Sequence, residues 1–411
     1  MEVTSCWPPV LCIACLWRMV VSDAQDVFLP TLFQLKEAYD AAAPVNGLLD
    51  MQKLQAVSDG LDDLAPAVAE ADPMSMYFWR LKVDAESALK HWPATEEAAR
   101  RAVHNRHCRA EEECYRETLQ EGILAAFRHG DEEAARRLYD EAARLPGAPS
   151  VPWPAYDRLT PMIITDTSSK NFWEISEVPL AAALEDAFPA ILEELNRLLP
   201  LEAPASFRRP GAEDAYAKRR GNDFLGNARS LCEPEDGQGT GLAEGRPCWE
   251  EFLLYAADAK NSQRGVFIDD YCALAPGTCE VLAASLEMTG DLGFGHVGIA
   301  GKASFIVLHP NSRIAAHSGT NSARLTVHLG LRVPNGSYIQ VRGERRYWET
   351  GKALILDDAY VHHVHIPTNE DRVILLAHVW HPTIVKFAKG FRTARVGLPS
   401  ALGKTSSAGE L

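Results

Sequence analysis

The spacing of apolar residues changes once along the chain, from a helical to a strand-like pattern. Between residues 27 and 147, apolar residues recur every three or four positions and no strand alternation appears. From Ser304 to Pro382, short β-branched runs are separated by Gly, Pro, Asn and Asp, which predicts closely spaced strands of an antiparallel sandwich or barrel. Asn335-Gly336, between two of these runs, predicts a two-residue hairpin turn.

The helical region contains an internal sequence echo. TEEAARRAVHN at 95–105 recurs as DEEAARRLYDE at 131–141, a period of 36, close to the ~34 residues of tetratricopeptide helix pairs. With two copies, true repeats and a degenerate helical array both fit. A repeat array would offer a concave binding surface; the alternative is a helical spacer that shields one side of the next domain.

Prolines mark the boundary between the two regions. They interrupt helical spacing in 145–162, which predicts a helical domain at 27–147, a second domain at 160–385 and a tail at 386–411. Within the second domain, 202–248 is rich in Pro, Gly and charge and predicts a long surface loop. That loop is either a lid over a site or an insertion without a role.

Length, composition and charge narrow the class of protein. A chain of 411 residues favours two domains, and its 46% hydrophobic and 24% charged residues are typical of a globular protein. The formal net charge of −15 argues against nucleic-acid binding. No apolar run reaches the ~18 residues that a membrane span needs.

The first 24 residues predict entry into the secretory pathway. Residues 6–21 are apolar except for Arg18, and the small residues Ser22 and Ala24 offer a cleavage site. Because no basic residue precedes the apolar run, a short membrane anchor and a plain N-terminal helix remain alternatives. Cleavage would leave six cysteines, an even number that suits an oxidising compartment. We expect an ER-lumenal or secreted protein, with any membrane association only through the N-terminus.

Two histidines and an arginine in the β-rich domain suggest a metal site. His362 lies 45 positions after His317, and Arg372 opens the last apolar run 10 positions further on. Imidazoles bind Fe(II), and a guanidinium pairs bidentately with a carboxylate, so the three fit a non-haem iron site that binds 2-oxoglutarate. A facial triad also needs a carboxylate, usually two residues after the first histidine, where this chain has Gly319. By spacing alone the site is incomplete.

Three motifs resemble the catalytic domain of the aspartyl/asparaginyl β-hydroxylase family: HSGTNSARLTVHLGL, WETGKALILDDAYVHHV and VWHP. That family binds iron through two histidines without a protein carboxylate, so Gly319 matches its pattern. The resemblance implies an α+β protein in which a tetratricopeptide-like helical region precedes a double-stranded β-helix (a jelly roll of the cupin type). It also implies that His317 and His362 are the catalytic iron ligands.

The resemblance assigns further residues to small molecules. His328 and Arg372 fall on residues that hold the two ends of 2-oxoglutarate, and Arg324 falls on a substrate-facing arginine. Thr326 stands where the family has an arginine for the C1 carboxylate of the cofactor, and Ile306 where it has a serine beside the distal carboxylate. Because Arg324, Thr326 and His328 share a strand face, Arg324 is a candidate to replace part of the lost charge. The departures bear on cofactor affinity more than on cofactor identity.

A disulfide between Cys272 and Cys279 is also implied, because CALAPGTC has the spacing and proline of a loop found in the family. Cys232 and Cys248 flank a Gly-rich loop and are candidates to close it. Unrelated reduced thiols are the alternative.

The other histidines and the acidic turn receive weaker assignments. His363 adjoins His362, but adjacent strand residues face opposite ways and the family register selects His362. We expect core or surface positions with satisfied hydrogen bonds among the remaining histidines of the domain: His309, His363, His365, His378 and His381. Asp357 and Asp358 are either turn residues or groups that orient His362 or a metal-bound water.

The resemblance implies a dioxygenase with Fe(II) as cofactor and 2-oxoglutarate and O2 as co-substrates. Its substrate would be the β-carbon of an Asp or Asn side chain, in a peptide or a small disulfide-rich domain. One alternative is an oxygenase of the same family that acts on a lipid or small molecule. Another is a metal-binding cupin with isomerase or storage function, against which the spacing of Arg372 argues. A catalytically silent scaffold whose helical repeats bind a partner also stays open, because of Thr326 and Ile306.

Overall fold

The structure is a computed structural model. It describes residues 25–43, 49–68, 72–151, 153–160, 170–199, 201, 232–234, 248–257, 265–284 and 301–386. The predictions for 1–24, for most of the loop 202–248 and for the tail after residue 386 therefore lie outside the described residues. The chain divides into two units between residues 152 and 153, within the proline-rich stretch.

The described part of the first unit is helical. Its helices are α1 Gln25–Ala42, α2 Met51–Leu64, α3 Met74–Ala88, α4 Trp92–His104, α5 Arg106–Ala110, α6 Glu112–Arg128 and α7 Glu132–Arg144, with a 3-10 turn Ala65–Ala67 after α2. Two helices begin at an aspartate whose side chain accepts a backbone N–H, Asp50 for α2 and Asp131 for α7. No helix in the described ranges is long and apolar enough to cross a membrane.

The helix pairs α3–α4 and α6–α7 are equivalent, with a structural period of 40 residues. Their turns place Lys90 and Gly130 at positive φ, 60° and 86°. The sequence echo has a period of 36 instead of 40. Its first copy begins inside α4, whereas its second copy begins about one helical turn earlier relative to the start of α7. That displacement keeps Ala98 and Ala134 both buried. Helix α5 lies in the connection between the pairs, and the disulfide Cys108–Cys114 joins it to α6.

The second unit is built on two antiparallel sheets. Its strands are β1 Phe172–Trp173, β2 Cys232–Pro234, β3 Trp249–Ala257, β4 Gly265–Phe267, β5 Ala303–Leu308, β6 Ser312–His317, β7 Arg324–Arg332, β8 Tyr338–Val341, β9 Glu344–Tyr347, β10 Ala353–Leu356, β11 His362–Ile366 and β12 Arg372–Trp380. The larger sheet has the order β1-β10-β7-β12-β5-β3-β4, and the smaller sheet has the order β2-β6-β11-β8-β9. Strands β5 to β12 thus follow the order of a double-stranded β-helix, and the predicted fold class is confirmed.

Among the residues that the structure describes in this unit, four helices accompany the sheets: α8 Pro179–Asp186, α9 Phe188–Leu198, α10 Asp269–Cys272 and α11 Pro276–Ala284, with a 3-10 turn Ile175–Glu177. They share an outer apolar cluster with the odd-numbered residues of β7 and β12, such as Leu325 and Leu375. Ile374 and Leu376 belong instead to an inner cluster with residues of the smaller sheet. Because side chains alternate along a strand, the even-numbered residues of β7 and β12 face the space between the sheets.

The prediction of a two-residue hairpin at Asn335-Gly336 is wrong. Strands β7 and β8 belong to different sheets, so residues 333–337 carry the chain from one sheet to the other. Gly336 has a positive φ of 95°, but Asn335 does not, and a type I′ turn requires positive φ at both positions. The dipeptide identified a turn, but it could not identify the sheet that the next strand joins.

Cys272 and Cys279 form a disulfide between α10 and α11, as the resemblance implied. Cys248 is also disulfide-bonded. Cys232 begins β2, and its side chain lies outside the described residues. This disulfide links α10 and α11, two short helices that pack against the larger sheet.

We expect the double substitution Cys272→Ser/Cys279→Ser to lower the free energy of unfolding by about 2–3 kcal/mol, because the bridge restricts the unfolded chain. Chemical denaturation of oxidised protein measures this loss. Fully reduced protein is the control, since the substitution should then have little effect. Mass spectrometry that finds both cysteines as free thiols in secreted protein would contradict the bridge and the compartment.

His309 links the ends of three strands of the larger sheet. Its Nδ1 lies 2.7 Å from an oxygen of Asp371, and its Nε2 lies 3.7 Å from Glu250. Burial lowers the pKa of His309, but the two carboxylates outweigh burial and raise the pKa to about 9. His309 is therefore a charged residue with carboxylate partners, next to the start of β12.

His309→Gln should destabilise the protein by on the order of 2–3 kcal/mol near neutral pH. The folded pKa lies above the unfolded value of ~6.5, so the contribution is complete below pH ~6.5 and is lost as the pH rises through about 9. Thermal or denaturant unfolding of wild type and variant between those pH values measures it. A difference in stability that stays constant across that window would contradict the charged state of His309.

Candidate functional site

Strands β6 and β11 bring His317 and His362 together at one end of the smaller sheet. The two residues are direct cross-strand neighbours, and their ring centroids are 4.2 Å apart. His362 is buried and His317 is half-buried. Antiparallel pairing thus brings side by side two histidines that are 45 positions apart in the sequence.

Each of these imidazoles is oriented by the backbone of its own strand. Nδ1 of His317 lies 2.8 Å from the carbonyl oxygen of Ala315, and Nδ1 of His362 lies 2.8 Å from that of Tyr360. A carbonyl only accepts, so Nδ1 carries the proton in both rings and Nε2 has the lone pair. Burial lowers the pKa of His362 to about 4, which keeps this ring neutral at pH 7. A metal site requires imidazole rings that are held in a fixed orientation, as both of these rings are.

The carboxylate nearest to Gly319 belongs to Asp358. A Cβ added at Gly319 would lie 2.6–2.7 Å from the carboxylate atoms of Asp358, so position 319 has no room for a side chain. Within the described ranges, no group of three or more His, Cys, Asp and Glu side chains is arranged to hold a metal ion. The paired histidines are the metal-binding groups that these residues offer.

Asp358 is bonded to Arg324, the residue that the resemblance assigns to the substrate. Nη2 of Arg324 donates to Oδ2 of Asp358 at 3.1 Å, and both side chains are buried. Asp357 is also buried, 3.8 Å from Arg158. Burial, reinforced by the neighbouring Asp358, raises the pKa of Asp357 to about 7. The acidic turn is therefore a buried part of the site, and the charge of Arg324 has an internal partner.

Arg372 is a buried cation at the start of β12. It is 1% exposed, and its Nε and Nη1 have no hydrogen-bond partner among the described residues. Its guanidinium stacks on Trp348 at 4.7 Å, and burial lowers its pKa to about 9. A buried charge without a counter-charge is costly. The position favours binding of an anion from outside the chain.

His328 lies on the inner face of the larger sheet and contacts Trp348, the residue on which Arg372 stacks. Nε1 of Trp348 donates to Nδ1 of His328 at 3.3 Å. Burial, with the nearby charge of Arg372, lowers the pKa of His328 well below its usual value. His328 is therefore neutral, with its proton on Nε2, where it is a hydrogen-bond donor. Trp348 thus orients both His328 and Arg372, a role that sequence reasoning missed because no spacing signal marks it.

The two departures from the family pattern both face the space between the sheets. Ile306 is fully buried in the inner apolar cluster. Thr326 is 4% exposed, and its Oγ1 has no hydrogen-bond partner among the described residues. Ser304 shares the inner face with Ile306, but it donates to Glu251 at 2.6 Å. A serine is therefore present two residues away from the family position, and it already has a carboxylate partner.

His363 and His365 contact Tyr338. The ring of His363 lies 6.2 Å from the ring of Tyr338, and Nδ1 of His365 lies 3.1 Å from its hydroxyl. His363 is less buried than His362, as alternation along β11 predicts. His381 accepts from the amide of Thr383 at 3.1 Å. The structure brings together His317 with His362, and His328 with Arg372, and it leaves His363 on the other face.

The donor set suits Fe(II) and 2-oxoglutarate. The paired imidazoles are borderline nitrogen ligands of the type that Fe(II) takes. Arg372 offers two unpartnered N–H groups for a carboxylate, and His328 and Thr326 offer neutral donors on the same inner face. The fold and this site define a jelly-roll domain with two cross-strand histidines and a buried, partly unpartnered arginine.

Residues 185–382 match the sequence profile of the family described as aspartyl/asparaginyl beta-hydroxylase. Over 161 residues, the chain is 33% identical to mouse aspartyl/asparaginyl beta-hydroxylase, which covers 39% of this chain and 19% of the relative. It is 32% identical over 141 residues to human aspartate beta-hydroxylase domain-containing protein 2, which covers 34% of this chain and 35% of the relative. The chain thus spans between about a fifth and about a third of these curated relatives.

Among solved structures, a 2OG-Fe(II) oxygenase family oxidoreductase from Burkholderia pseudomallei covers 54% of this chain and 95% of that one. The two are 13% identical, with a TM-score of 0.25, and this likeness carries no argument. The fold follows from the strand order.

Proposed function

We propose that the protein is an Fe(II)/2-oxoglutarate-dependent dioxygenase that hydroxylates the β-carbon of Asp or Asn side chains in a peptide or protein. One observation carries this proposal: a buried, partly unpartnered Arg372 lies on the same jelly-roll core as two cross-strand histidines. The family of residues 185–382 supports it.

His317 and His362 would hold Fe(II) through Nε2. Arg372 would pair with the distal carboxylate of 2-oxoglutarate, and His328 would donate from Nε2 to the same cofactor. When bound, Fe(II) with 2-oxoglutarate and O2 supplies the oxidising power to hydroxylate an unactivated carbon. The chain binds and orients these groups, and the inner apolar cluster around Ile306, Ile374 and Leu376 excludes water.

The substrate proposal rests on Arg324 and the family. Arg324 lies on the inner face of β7, where it would meet the side chain of a substrate Asp or Asn. Its bond with Asp358 means that a substrate carboxylate would compete with an internal one. The partner would be an Asp/Asn-containing peptide or a small disulfide-rich domain.

The disulfides support a location in the secretory pathway. Cys108–Cys114 and Cys272–Cys279 are both formed, and disulfides persist in oxidising compartments. A substrate domain rich in disulfides would share that compartment.

Succinate production from 2-oxoglutarate by iron-loaded protein tests the proposed function, with and without Asp- or Asn-containing peptides. Stimulation by a peptide supports it. Stimulation by a lipid or a free amino acid instead would favour an oxygenase with another substrate. No succinate and no binding of 2-oxoglutarate would favour the silent scaffold, the second candidate, which Thr326 and Ile306 keep open.

A further inference from the structure

His378 lies on the inner face of β12, directly opposite Thr326. The two residues are cross-strand neighbours, and each is 4% exposed. His378 shares its strand face with Ile374 and Leu376, which belong to the inner cluster. The sequence alone placed it among histidines of the core or surface, but the register places it in the pocket, beside the residue that departs from the family pattern.

The hydrogen bond of His378 fixes which of its nitrogens donates. The backbone amide of Lys302 donates to Nδ1 of His378 at 3.2 Å, so the proton of the neutral ring lies on Nε2. Burial, with the charges of Arg324 and Lys302 nearby, lowers the pKa of His378 well below its usual value. His378 is therefore a neutral ring with a donor at Nε2.

Thr326 supplies a second donor at the same place. Its Oγ1 is buried without a hydrogen-bond partner among the described residues, which is unfavourable unless a bound molecule satisfies it. Directly opposed residues of an antiparallel pair have Cβ atoms ~4.5–5.5 Å apart. One carboxylate placed between the sheets can therefore reach both donors.

The cations near this pair have other partners. Arg324 donates to Asp358 at 3.1 Å, and Nζ of Lys302 donates to Glu251 at 2.9 Å. Arg372 lies six residues from His378 along β12, but its guanidinium stacks on Trp348, which donates to His328. His328 lies opposite Leu376, two residues from His378 on the same strand face, so the charged end of Arg372 lies closer to this pair than its backbone does. A carboxylate beside Thr326 therefore has neutral donors from His378 and Thr326, while Arg372 serves the other end of a dicarboxylate.

We propose that His378 and Thr326 together bind the C1 carboxylate of 2-oxoglutarate. In this chain, His378 thus takes the role of the arginine that the family has at position 326. The inference rests on the proposed function, because it needs 2-oxoglutarate in the pocket. His378 is then a cofactor-binding residue that replaces a charge–charge contact with two neutral hydrogen bonds.

Two substitutions at one position separate cofactor binding from a structural role. His378→Asn keeps an acceptor near Nδ1 for the amide of Lys302 but removes the donor at Nε2. His378→Gln keeps a donor near Nε2 but moves the acceptor. The measurement is calorimetric titration of 2-oxoglutarate into protein loaded with Mn(II), a metal that does not start the reaction.

His378→Asn should weaken 2-oxoglutarate binding roughly 10- to 100-fold, the range for a hydrogen bond to a charged group, whereas His378→Gln should retain most of the affinity. Mn(II) affinity should be unchanged in both variants. Thr326→Val, which changes little in volume, should also weaken 2-oxoglutarate binding if it folds.

Equal 2-oxoglutarate affinity of His378→Asn and wild type would overturn the inference. A weaker 2-oxoglutarate affinity for His378→Gln than for His378→Asn would also overturn it. That order would mean that the affinity depends on the bond to Lys302 and not on the donor at Nε2. If wild type binds Mn(II) but not 2-oxoglutarate, the proposed function fails first and this inference with it. The wild-type titration therefore distinguishes the two failures.

Discussion

His317→Ala and His362→Ala should each abolish Fe(II) binding. The described residues offer two histidines and no third carboxylate or thiolate ligand, so the loss of one ligand leaves no substitute. Both rings are held by backbone carbonyls. Anaerobic Fe(II) titration of purified protein, followed by metal analysis, measures the loss.

His363→Ala is the matched control for the metal site. His363 adjoins His362 in the sequence but lies near Tyr338 on the other face of β11, so its removal should retain most Fe(II) binding. If His363→Ala loses the metal while His362→Ala keeps it, the register of β11 in this account is wrong by one residue.

Arg372→Lys should raise the 2-oxoglutarate requirement strongly while Fe(II) binding stays intact. A lysine cannot reproduce the bidentate contact of a guanidinium with a carboxylate, nor the stacking on Trp348. A buried contact of this type is worth roughly 2–5 kcal/mol, which corresponds to roughly 30- to several thousand-fold in Kd. Calorimetric titration of 2-oxoglutarate into metal-loaded protein measures the change.

Arg332→Lys is a matched control for Arg372→Lys. Arg332 ends the neighbouring strand β7 and donates to Asn196 and to the carbonyl of Leu199, so its replacement should leave 2-oxoglutarate binding unchanged. Thr326→Arg, which restores the family residue, should leave that binding unchanged or tighten it. If wild type binds no 2-oxoglutarate and Thr326→Arg creates binding, the chain has lost the chemistry and the scaffold is the better account.

The sequence was sufficient to predict the fold class because periodicity is a local property. Apolar spacing of three to four residues marked the helical unit, and short β-branched runs marked the strands. The turn at Asn335-Gly336 shows the limit. A turn signal depends on two residues, whereas the sheet that a strand joins depends on which other strands it pairs with. Strand β8 pairs with β11 and β9 instead of β7.

The candidate site was predictable where a motif marks it. Residue type and spacing singled out His317, His362 and Arg372, and the resemblance assigned their roles and added His328. The structure pairs His317 with His362 and places His328 and Arg372 both against Trp348. Trp348 and His378 were not predictable, because their roles depend on contacts with residues of other strands. The bond of Arg324 to Asp358 was also missed, since a long side chain has many partners that spacing does not distinguish.

The most direct test of the central claim is to incubate iron-loaded wild type with 2-oxoglutarate, O2 and an Asp- or Asn-containing peptide, and to measure succinate and peptide mass together. The account predicts equal amounts of succinate and of peptide that has gained one oxygen atom, located at the β-carbon by fragmentation. His362→Ala should give neither product. A wild type that binds Fe(II) and 2-oxoglutarate but leaves every such peptide unchanged, with or without succinate, would contradict hydroxylation of Asp or Asn as the function.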